Sequence, residues 1–148
     1  MHLNAHAFAG AAIYATAARL DPASAPVMGA AAIAAFGSHF VLDKVGEPRW
    51  SRAQHTLFDG AFMALFAALV AASWQDYGKF MLLGALLANI PDIWDKKFYL
   101  SILDPERWPA FDDFFCHRKG YESIKPTASV TVLLSVLLYA GTLVVVVA

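Results

Sequence analysis

Apolar residues along this chain collect into five blocks, about 5–19, 26–43, 56–74, 79–94 and 127–148, separated by polar breaks. A helix that crosses a bilayer needs roughly 20 predominantly apolar residues. The last block, "TASVTVLLSVLLYAGTLVVVVA", meets that test outright. The blocks at 5–19 and 79–94 are shorter and must borrow flanking polar residues or thin the bilayer locally. Between the blocks stand "LDPASAP", "VGEPRW" and "QDYG", then a long polar stretch from Asp95 to Pro126 that contains Pro105 and Pro109. Proline lacks an amide donor and ends helices, so these stretches read as connections. The pattern predicts an all-α, polytopic membrane bundle in one domain, 1–148, with five transmembrane helices. A cytoplasmic, interfacial connection at 95–126 joins the fourth to the fifth.

Composition agrees with lipid as the solvent. Hydrophobic residues make up 59% of the 148, charged residues only 16%, and the mean hydropathy is +0.52. Soluble domains carry about a quarter charged residues. The net charge of −1 gives no electrostatic footing for a nucleic-acid partner. Cys116 is the single cysteine, which excludes an intramolecular disulfide scaffold.

Basic residues orient the bundle. With the connections assigned alternately to two sides, nine of the 11 Lys and Arg fall on one side: Lys44, Arg49, Arg52, Lys96, Lys97, Arg107, Arg118, Lys119 and Lys125. The other side holds only Arg19 and Lys79. The positive-inside rule then puts the N-terminus in the cytoplasm and the C-terminus outside.

On this topology all five histidines gather at the cytoplasmic end. The pairs His2/His6, His39/Asp43, His55/Asp59 and Asp113/His117 are each spaced by four residues, and Asp92/Asp95 by three. Such spacings put both side chains of a pair on one helix face. Imidazoles and carboxylates converging from several helices are the donors that a divalent metal such as zinc takes. The plainer reading is that polar residues cluster at helix ends because hydrocarbon rejects them, and for His2, His55 and Asp113 it suffices. His6, His39, Asp59 and Asp92 lie within or at the edge of apolar blocks, where an ionisable group points to function. Asp43 and Asp95 stand between the two readings. The aromatic-rich "RWPAFDDFFCHRKGYES" suits a segment lying in the interface, either as an anchor or as a cover that brings His117 and Glu122 over the bundle.

Four short motifs together resemble the bacterial membrane-bound metal-dependent hydrolases, a YdjM-like family, and related small membrane proteins without an assigned activity. They are His6 in "NAHAFAG", His39 and Asp43 in "SHFVLD", Asp92 and Asp95 in "PDIWD", and "HRKGYES" at 117–123, where Glu122 stands in place of a second histidine. The resemblance implies a multi-pass protein of the bacterial inner membrane and a metal set of His6, His39, Asp92, Asp95, His117 and Glu122. The cofactor it implies is a divalent cation, zinc first and manganese second. A bound cation would lower the pKa of a water toward about 7. Asp43 and Asp59 would orient ligands or accept the water's proton. The substrate expected is a phosphoester or lipid at the cytoplasmic leaflet. The alternative is a non-enzymatic bundle, with a structural metal or a partner docked on the long connection.

Overall fold

The computed structural model describes residues 3–46, 48–95, 121 and 124–147. Among them the chain is helical throughout, apart from turns and an isolated bridge between Val45 and Ile124. The helices are α1 (Leu3–Leu20), α2 (Ala25–Leu42), α3 (Arg52–Ala72), α4 (Lys79–Ala88), α5 (Ile90–Asp95) and α6 (Ala128–Val147), with a π-helical segment, Trp74–Gly78, between α3 and α4. Side-chain caps set two of the starts. Ser24 Oγ accepts from Val27 N ahead of Pro26 in the first turn of α2, and Ser51 with Gln54 forms a reciprocal capping box on α3.

α1 is the centre of the assembly and packs against α2, α3, α4 and α6. Small residues make this geometry available. Gly10 and Gly84 meet at the α1–α4 crossing, and Ala7, Ala11 and Ala15 are buried around it. Close approach through Gly and Ala is how helices pack where apolar burial cannot drive them together. Phe8, fully buried, is met edge-on by Phe66 of α3 and Tyr139 of α6, with ring centroids at 5.4 and 5.5 Å.

Contacts fix the helix directions. Gly10 lies near Ala88 and Tyr14 near Gly84, so α1 and α4 are antiparallel. His6 meets Asp43, while Tyr14 and Ala17 cluster with Ala31, so α2 is also antiparallel to α1. Asn4 pairs with Ser135, and Phe8 O accepts from Thr142 Oγ1, so α6 runs parallel to α1. α3 is parallel too, through Asn4 with Asp59 and Phe8 with Phe66. The starts of α1, α3 and α6 and the ends of α2 and α4 therefore share one end of the molecule.

Three helices, α2, α3 and α6, are long and apolar enough to cross a membrane. Their outward faces carry large apolar side chains, among them Ile33, Val41, Leu57, Leu133 and Val144. Apolar patches of this extent in a soluble monomer would be a liability, and in lipid they are at home. The expected blocks at 5–19 and 79–94 fall short of the same test, for two physical reasons. α1 is wrapped by its neighbours and does not need an apolar surface of its own. The fourth block breaks at Asn89, where Nδ2 turns back to the Ala85 carbonyl at 2.8 Å and Pro91 withholds an amide in the next turn. The expected continuous 79–94 helix is thus two pieces, α4 and α5.

Candidate metal centre

His6, His39 and Asp43 meet at the shared end, with one ligand atom from each lying within 4.8 Å of the others. His6 comes from the first turns of α1, His39 from the last turn of α2, and Asp43 caps that helix. Both imidazoles are fully buried and Asp43 is 5% exposed. His6 Nε2 is 3.1 Å from Asp43 Oδ1, and His39 Nε2 is 3.1 Å from Asp43 Oδ2, so the carboxylate presents one oxygen to each ring. The rings stack, with centroids 4.0 Å apart and planes 19° from parallel.

The tautomer of His39 follows from its far side. Ala88 is the last residue of α4, so its carbonyl belongs to a helix end that the helix cannot satisfy internally. His39 Nδ1 lies 2.7 Å from that oxygen, and because a carbonyl only accepts, Nδ1 carries the proton. In the neutral ring Nε2 is then a lone pair aimed at a carboxylate oxygen. Two acceptors at 3.1 Å require a positive species between or beside them, a proton or a metal ion. Histidine donating its other nitrogen to a backbone carbonyl is the usual outer support of a metal ligand.

His6 points the same way. Among the described residues neither of its nitrogens has a hydrogen-bond partner although both are buried, since the close approach of Nε2 to Asp43 is off the direction of a hydrogen bond. A buried imidazole with no partner is costly. Two stacked imidazoles 4.0 Å apart also oppose double protonation by mutual repulsion. Two neutral imidazoles and one carboxylate could hold a metal ion, and the orphaned His6 nitrogens fit one.

The expected residues separate into five cases. His6 and His39 come together as read. Asp43, expected to orient ligands or accept a proton, stands in the ligand group itself. Asp59, expected in the same role, accepts from Asn4 Nδ2 at 2.7 Å and from Asn4 N at 3.4 Å. It therefore caps the start of α1, two residues before His6, and Ser135 Oγ donates to Asn4 Oδ1 to tie α6 into the same knot. Asp92 and Asp95 are buried in α5 but are not part of the three-residue group. His117 and Glu122 lie outside the described residues.

Sequence reading did not single out Asn4 or Ala88, and took Tyr121 only as one of the aromatics of an interfacial segment. Asn4 and Ser135 are polar residues in apolar blocks, which is a usable signal. The Ala88 carbonyl leaves no trace in the sequence except the helix-breaking "NIP" after it. Comparisons with known proteins add nothing to these residues: no family model, curated protein or solved structure matches the chain.

Proposed function

We propose that this chain is a five-span membrane protein that holds a divalent cation, zinc or manganese, on His6, His39 and Asp43 at its cytoplasmic end, and that it hydrolyses a phosphoester or lipid at that leaflet. The observation that carries the reading is the trio itself, two imidazoles and a carboxylate whose ligand atoms lie within 4.8 Å, with His39 oriented by Ala88 and the His6 nitrogens making no hydrogen bond among the described residues. Three protein donors leave a coordination position for water, the arrangement of catalytic rather than structural zinc sites. A bound cation there supplies a water acidic enough to act as a nucleophile near neutral pH. The protein's own part is to fix the two rings, exclude bulk water by burial, and keep Asp43 ionised. The four short motifs that resemble metal-dependent hydrolases support the same reaction class.

Five spans are supported by the alternating helix directions and by length. The 18 residues of α1 reach about 27 Å at 1.5 Å per residue, close to the hydrocarbon thickness. A cytoplasmic location of the shared end is supported by Lys44, Arg49 and Lys125, which lie on connections at that end.

A second reading is favoured by the burial of all three ligands. A cation sealed from solvent would staple α1 to α2 and catalyse nothing. The deciding experiment is X-ray absorption of metal-loaded protein in detergent, paired with phosphoester turnover in vesicles. A site with an oxygen ligand from water and metal-dependent turnover supports the hydrolase. A closed shell of protein donors without turnover supports the staple. Protein that binds neither zinc nor manganese sinks both.

A further inference from the structure

The last four carbonyls of a helix have no partner within it, and in α2 each of them is nevertheless satisfied. His39 O accepts from Asp43 N at 2.9 Å, Val41 O from Lys44 N at 3.2 Å, and Leu42 O from Val45 N at 2.9 Å. Phe40 O is met from elsewhere: the Tyr121 hydroxyl donates to it at 2.7 Å. Tyr121 stands near the return end of the 95–126 connection, and three residues later the chain is stitched to the exit of α2. Ile124 N donates to Lys44 O at 2.9 Å, and Gly46 N donates to Ile124 O at 2.8 Å. The Lys44 ammonium sits 3.9 Å over the Tyr121 ring. These contacts grip residues 40, 44, 45 and 46, which interleave with His39 and Asp43.

We propose that Tyr121 is a positioning residue of the cation site, and that cation binding and the docking of Tyr121 and Ile124 stabilise each other through the last turn of α2. The inference rests on the cation reading above. Its physical basis is that both events need the same ordered element. Helix ends fray, and fraying of this turn would carry His39 and Asp43 away from His6 together. It would equally displace the Phe40 carbonyl and the Lys44–Gly46 edge on which Tyr121 and Ile124 dock. Two partners that each require one ordered form favour one another, and by linkage each changes the other's affinity by the same factor.

The test uses the full chain in detergent with zinc as the probe. Zinc is expected to slow hydrogen exchange at the Ile124 and Gly46 amides, the two donors of the stitch. Tyr121→Phe, which deletes only the hydroxyl, is expected to weaken zinc binding about tenfold, the scale on which outer supports of metal ligands act. It should also remove most of the zinc-dependent protection. A purely structural Tyr121 would lower protection equally with and without zinc and leave the affinity unchanged, which would overturn the inference while leaving the cation reading intact. Wild-type protein that binds neither zinc nor manganese overturns both.

Discussion

Gly10 of α1 and Gly84 of α4 cross so closely that a Cβ built on either would overlap the other's carbonyl oxygen. The crossing lies one turn from Ala88, whose carbonyl holds His39. Substituting Ala at Gly10 or Gly84 forces the two backbones apart, and overpacking of this kind costs about 1–3 kcal/mol. Gly29 and Gly37 of α2 have open space where a Cβ would go. Ala there should be neutral or stabilising by about 0.5–1 kcal/mol, because helical glycine is entropically unfavourable. Thermal unfolding in detergent should rank the four variants in that order.

Removing a ligand separates the trio from its surroundings. His39→Ala and His6→Ala should each abolish stoichiometric zinc binding, measured by metal analysis after desalting. Asp92→Asn should leave binding in place, because Asp92 is not among the three grouped residues. Loss of zinc in Asp92→Asn, with the fold intact, would move the site toward α5 and contradict this assignment.

Zinc affinity should fall in acid. Two of the ligands are imidazoles that bind metal only when neutral, so protons compete with zinc as the pH falls and binding strengthens as it rises. A titration of zinc affinity from about pH 5 to 8 checks the sign. Affinity that is flat or rises toward pH 5 would rule out histidine ligation.

Asp59 should behave as a cap and not as a catalytic base. Asp59→Asn keeps an acceptor for Asn4 and should retain metal binding and any turnover. Asp59→Ala leaves Asn4 unsupported and should cost about 1 kcal/mol of stability, the usual size of a lost helix cap. A turnover loss of several orders in Asp59→Asn, at unchanged stability, would restore the catalytic role.

Opposite ends of the helices should label from opposite sides of the membrane. In a Cys116→Ser background, a cysteine at Arg49 should react from the cytoplasm and one at Gln75 from outside. Both positions are exposed. Labelling of both from one side would break the alternation of spans.

Much of the architecture was legible because hydrophobic blocks map directly onto helices. The jaw of His39 and Asp43 was legible too, because a spacing of four is a local property of a helix. His6 was flagged by its place in an apolar block, but its meeting with Asp43 depends on how α1 and α2 pair, which no local pattern encodes. The contact of Asp59 was hidden for the same reason, because its partner, Asn4, is 55 residues away. The break at Asn89 was visible as Pro91 two residues on, yet the apolar run around it outweighed that signal.

The central position of α1 carries a consequence for biogenesis. α1 precedes the helices that enclose it, and among the described residues the polar neighbours of Asn4 and His6 lie in α3 and α6 and at the end of α2. In a bilayer, a nascent α1 would meet lipid with those groups bare and with glycine and alanine where side chains should fill space. The rest of the bundle thus acts as its solvent, and α1 depends on the synthesis of α4 and α6 for a settled place. A chain truncated after α3 should accordingly be retained by the insertion machinery or degraded, while the same truncation leaves α2 and α3 apolar enough to partition unaided.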